Sequence, residues 1–75
     1  MIVAVKFEDK FNPGTFRGKE YHYIAGIPLD IGDIVKLPTV KDTSKGIITA
    51  VNVPLSKVDE RVMPLLRTIT ERVEV

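Results

Sequence analysis

At 75 residues, with 44% hydrophobic residues and a formal charge of +1, the chain has room for one small domain, whose single core supplies only about 3–5 kcal/mol of stability. That hydrophobic content excludes wholesale disorder, and the near-neutral charge means that any grip on phosphates must come from local clustering of cations. Cysteine is absent, which excludes disulfides, thiol catalysis and cysteine metal sites and makes a cytoplasmic location the default; separately, no stretch approaches the ~20 apolar residues of a membrane span.

Ile2-Val3-Ala4-Val5-Lys6-Phe7 has a period of two, with Val3, Val5 and Phe7 on one face, and predicts a first strand. Residues 8–18 follow, carrying Asn12-Pro13-Gly14 and Arg17-Gly18, where proline fixes φ and glycine permits positive φ. A connection this long in so small a domain is a candidate for contact with a partner.

Residues 19–24 predict a second strand, with Tyr21 and Tyr23 on a shared face. Gly26 to Gly32 breaks the chain again. Leu29 and Ile31 are expected to pin that turn to the core, while Gly32 supplies an unusual φ and Asp33 accepts backbone hydrogen bonds. Ile34 to Leu37 is the third strand, stopped by Pro38.

A polar connection from Lys41 to Gly46 returns the chain as a hairpin into a fourth strand over Gly46 to Val53. That strand is apolar in both phases, which predicts a bulge or sharp bend that buries residues of each. In the last third, apolar residues recur every three or four positions from Leu55 to Val73, but Pro64 opposes one continuous helix, since an interior proline costs about 3 kcal/mol. The expectation is a short helical turn over Ser56 to Arg61, then a β-branched fifth strand from Leu65 to about Thr70 or as far as Val75. The elements add up to a mainly all-β single domain over residues 1–75: a small, strongly bent five-stranded barrel of SH3-like or OB-like form, with a helical turn before its last strand.

Little in the chain points to a reaction. His22 is its sole histidine, Ser44 and Ser56 its sole serines, and no glycine-rich phosphate loop is present. The sequence is read as that of a non-enzyme without cofactor. No metal-ligand spacing is present either; Asp30 and Asp33 read as turn residues.

The order aromatic-x-Tyr in Tyr21-His22-Tyr23, then Leu29 through Gly32-Asp33, Val35 and Pro38, then Gly46 through Val51, resembles the amino-terminal DNA-binding domain of the primosomal helicase PriA. The resemblance covers nearly the whole chain, and most of it consists of residues that a small barrel needs. It implies a barrel that captures the 3′ end of a nascent DNA strand, in a replication role, with Tyr21, His22 and Tyr23 at the pocket. The family's pocket has an acidic residue between the aromatics and a glycine after the proline; here His22 and Thr39-Val40 stand there, so capture of the 3′ end is not expected to be retained. With none of the helicase attached, the chain is similar to stand-alone relatives among short bacterial and bacteriophage proteins.

A binding surface also follows from the residues. Lys10, Phe11, Phe16, Arg17 and Lys19 interleave cations with aromatics, a combination that tracks phosphates while stacking bases, and Lys36, Lys41 and Lys45 around the hairpin between the third and fourth strands extend it. Five such contacts to a single strand predict a log–log salt slope of roughly −3 to −4. The competing reading is structural: Phe11 and Phe16 close one end of the core, and the lysines are ordinary solvated turn residues. Single-stranded or junction DNA is thus the first partner expected. The alternatives are a protein that docks on a strand edge or on the Phe11–Phe16 loop, and a second copy of the chain joined through the C-terminal strand.

Overall fold

In the computed structural model, which describes residues 1–39 and 43–73, five strands run in chain order: β1 Ile2–Phe7, β2 Tyr21–Ala25, β3 Ile34–Pro38, β4 Thr43–Ala50 and β5 Thr68–Ile69. Their spatial order is β3-β4-β1-β2-β5. All neighbours are antiparallel except β2 and β5, which run parallel at Ile24–Thr68 and Ala25–Ile69. An antiparallel bridge between Val35 and Arg72 brings the end of the chain back to β3, so the sheet is a nearly closed barrel.

The segment that closes it is bonded on both sides. Arg67 and Ile69 carbonyls accept from the N–H groups of Ile24 and Gly26 at 2.9 and 2.8 Å, the Glu71 carbonyl accepts from Lys36 N–H at 3.1 Å, and Val73 N–H donates to the Ile34 carbonyl at 2.8 Å. These groups, which an intermolecular sheet would need, are satisfied within the chain.

The predicted bulge lies in β4. Ala4 pairs with Ala50 and Val5 with Ile48, so Thr49 is the extra residue. The resulting bend helps the single sheet curl into a tight barrel: Ile48 and Gly46 are buried beside Val35, while Ala50 pairs with Ala4 beyond the bulge. The core consists of Val3, Val5, Tyr23, Leu29, Val35, Leu37, Ile48 and Ile69, with Phe7, Ala25, Ile27 and Val51 packed against it.

Two close approaches require glycine. A Cβ on Gly46 would run into the Leu37 side chain and meet the Lys6 carbonyl oxygen at 3.0 Å; one on Gly26 would lie 2.9 Å from the Ile69 carbonyl oxygen. Gly32 has φ of 95°, as its turn requires, and Asp33 accepts the Asp30 N–H at 2.9 Å.

Several boundaries differ from those read in the sequence. β4 begins at Thr43, so Gly46 is an interior residue opposite Val35 and not the strand's first. Ile31 is 65% exposed, and Leu29, with Ile27 packed against the core, pins the turn. The helical turn expected over Ser56 to Arg61 is present as a shorter 3-10 turn, Leu55–Lys57, and a second 3-10 turn follows at Met63–Leu65, with Pro64 within its first turn, where a missing N–H costs nothing. β5 is only two residues long, because the chain crosses from β2 to β3 and pairs briefly with each.

Candidate nucleic-acid interface

The loop after β1 is folded on itself. Glu8 bridges to Phe16, Asp9 N–H donates to the Thr15 carbonyl at 2.8 Å, and Thr15 N–H donates to the Asn12 carbonyl at 3.0 Å. Its centre is Asp9. One carboxylate oxygen accepts the Phe11 N–H at 2.9 Å, an Asx turn, and the other accepts Arg17 Nε at 2.8 Å, with Arg17 Nη2 also at 2.8 Å and the Asn12 amide at 3.4 Å. The Phe11 N–H, opposed by some desolvation and helped by Asn12 and Arg17, holds the Asp9 carboxyl below its ordinary pKa. Glu8 adds a second strut by accepting the Gly14 N–H at 3.1 Å.

This scaffold presents Phe11 almost bare, 92% exposed, with Lys10 exposed beside it. Phe11 therefore closes no part of the core; Phe16 is half-buried against the loop's base. A ring this exposed adds little to the packing of the domain and is open to contact from outside.

The remaining candidates divide. The Lys45 carbonyl accepts the Glu8 N–H at 3.0 Å, so the β3–β4 hairpin lies against the loop, and Lys36 sits directly across from Lys45. Lys36 is tied to Glu71 at 3.1 Å and Arg17 to Asp9, whereas Lys10, Lys19 and Lys45 have no ion-pair partner among the described residues. Lys41 lies outside the described residues. The sequence did not single out Asp9, although an aspartate opening a Phe-Asn-Pro-Gly turn carries the Asx-turn signature.

Tyr21, His22 and Tyr23 lie apart from the loop's tip. Tyr23 is buried, and its hydroxyl donates to the Pro38 carbonyl at 3.0 Å; Tyr21 packs edge-on against Phe7, ring centroids 5.2 Å apart, at the barrel rim. His22, opposite Ala4, is half-buried on the outer face. It borders three adjoining hollows of about 460, 330 and 160 Å³ that separate β2 from the stretch between Val51 and Arg67. Lys57, Val62, Leu65 and Arg67 line these hollows, and no motif in the sequence marks them.

Fold and surface together define a small, nearly closed β-barrel carrying an ordered, cationic and aromatic loop at one rim. Compared with protein-family models, with curated proteins and with solved structures, the chain matches none. Among the described residues no helix is long and apolar enough to cross a membrane, and no cluster of three or more histidine, cysteine or acidic side chains could hold a metal ion.

Proposed function

We propose that this chain is a non-enzymatic nucleic-acid-binding module for single-stranded or junction DNA, acting through the loop of residues 8–19 and the adjoining β3–β4 hairpin. The observation that carries the reading is Phe11, 92% exposed on a loop whose conformation is held by Asp9 and Glu8. A ring held out in this way loses little conformational freedom when a base stacks on it, and the exposed Lys10, Lys19 and Lys45 supply attraction for the backbone.

Of the five described cations of this surface, Arg17 and Lys36 are paired with carboxylates, which leaves Lys10, Lys19 and Lys45 free to neutralise phosphates. The salt slope on a single strand is then about −2, shallower than the sequence alone suggests. Arg17 becomes a residue that shapes the loop.

Fluorescence anisotropy of labelled oligothymidylate and of a primer-template junction, titrated with the protein at low and at physiological salt, tests this reading. Saturable binding with a slope near −2 supports it, and preference for the junction adds a structural specificity. Absence of binding at low salt, where screening is weakest, overturns it.

A further inference from the structure

The second face of the barrel has an unfinished edge. In an antiparallel ladder alternate residues of a strand address the same neighbour. Ala25 N–H donates to the Met1 carbonyl, toward β1, while Ile24 N–H donates to the Arg67 carbonyl on the other side. His22, two residues before Ile24, therefore turns its N–H and C=O away from β1. The β2–β5 ladder covers only Ile24 and Ala25, so the backbone of His22 faces the hollows with no partner among the described residues.

The surroundings of that edge are particular. The smallest hollow is bounded by Tyr21, Tyr23, Val62, Leu65 and Leu66, and Leu65 is 72% exposed, an apolar recess open to water. Lys19, Lys57 and Arg67 stand around the groove with no ion-pair partner among the described residues. The two carboxylates there are engaged: Glu20 accepts the Thr49 hydroxyl at 2.8 Å, and Asp59 pairs with Arg61 at 3.4 Å. Glu20 keeps its charge, so Lys19, Lys57 and Arg67 face one uncompensated carboxylate and the groove is net positive.

We propose that this edge of β2 is a docking slot for an extended acidic peptide of a partner protein, which adds beside His22 as a short strand, places an aliphatic side chain against Tyr21, Val62 and Leu65, and directs carboxylates to Lys57 and Arg67. A peptide backbone supplies the alternating N–H and C=O that a bare strand edge takes up. A nucleic-acid strand lacks that alternating pattern of backbone donors and acceptors. The slot is independent of the nucleic-acid reading, since it shares only Lys19 with that surface.

The test uses the full chain, isotope-labelled for amide hydrogen exchange and NMR, titrated with an acetylated hexapeptide of alternating valine and glutamate. The His22 amide is expected to exchange rapidly in the free protein and to slow by at least about tenfold with peptide, with shift changes at Tyr21, Leu65 and Arg67. The same peptide N-methylated at alternate amides keeps its side chains and should lose binding. Leu65→Asp, at an exposed position, should weaken the peptide by about tenfold or more while leaving the core amides unmoved. An unchanged His22 amide under millimolar peptide, equal binding of the N-methylated peptide, or protection of His22 by oligothymidylate and not by peptide would each overturn the proposal.

Discussion

The Arg17 guanidinium grips a single carboxylate oxygen of Asp9 with both Nε and Nη2, each at 2.8 Å, across a loop of seven intervening residues. The grip sets how the loop responds to acid. Asp9 is held below its ordinary pKa, chiefly by the Phe11 N–H, so its contribution to loop order is complete above the ordinary aspartate value and is lost as the pH falls through the lowered one. The Phe11 and Thr15 amides should therefore lose protection below about pH 4, well before the core amides do. Asp9→Asn, which keeps an acceptor for the Phe11 N–H but no charge for Arg17, should loosen the loop at neutral pH and abolish the acid transition. Amide exchange followed against pH reads both outcomes.

Phe11 separates binding from folding. At 92% exposure its removal leaves the core untouched, so Phe11→Ala should change stability by no more than about 0.5 kcal/mol. A lost base–aromatic stack costs about 1–3 kcal/mol, or at least roughly fivefold in affinity for oligothymidylate. Thermal melts paired with anisotropy titrations check the two together. A variant that binds as well as the parent would remove the loop tip from the interface.

Gly46 makes the opposite case, a residue required only by the fold. Its missing side chain leaves room for Leu37 in the core and lets the Lys6 carbonyl approach, so Gly46→Ala should destabilise the barrel by about 1–3 kcal/mol. For a domain of this size that lowers Tm by roughly 4–8 °C per kcal/mol, and calorimetry would register it. An unchanged Tm would mean that Leu37 has an alternative packing at no cost.

The contrast between these positions explains what the sequence made legible. The β-branched apolar run over Ile2–Phe7, and the apolar double phase around Ile48, announce strands and a bulge because burial leaves the same mark on any small barrel. Hydrophobicity shows that Leu29 and Ile31 can be buried but not which way the turn faces; Leu29 is in the core and Ile31 is exposed. The turn expected over Ser56 to Arg61 is the 3-10 turn Leu55–Lys57, whereas the second, Met63–Leu65, leaves no mark in the sequence, because three- and four-residue spacings do not fix where a short turn begins or ends. At the candidate interface, clustering along the chain located Phe11 and Lys10, but it could not show that Arg17 and Lys36 are tied to carboxylates. Asp9 lies eight residues from Arg17, and Glu71 is contributed by the far end of the chain.

Tyr23 offers a check on the barrel's closure from inside. Its hydroxyl donates to the Pro38 carbonyl at 3.0 Å, joining β2 to the end of β3 across the core, and burial raises its pKa above the ordinary 10.0, outweighing the lowering by the nearby Arg67 charge. Because the neutral phenol is the form favoured by folding, that contribution is fully present below about pH 10 and is lost as the pH climbs through the raised folded value. Ultraviolet titration of the phenolate band should show a late step that disappears in Tyr23→Phe. The same substitution removes one hydrogen bond and strands the Pro38 carbonyl, costing about 0.5–1.5 kcal/mol, and more if water cannot reach that oxygen. A late step that survives in Tyr23→Phe would place the phenol of Tyr23 in water and the end of β3 away from β2.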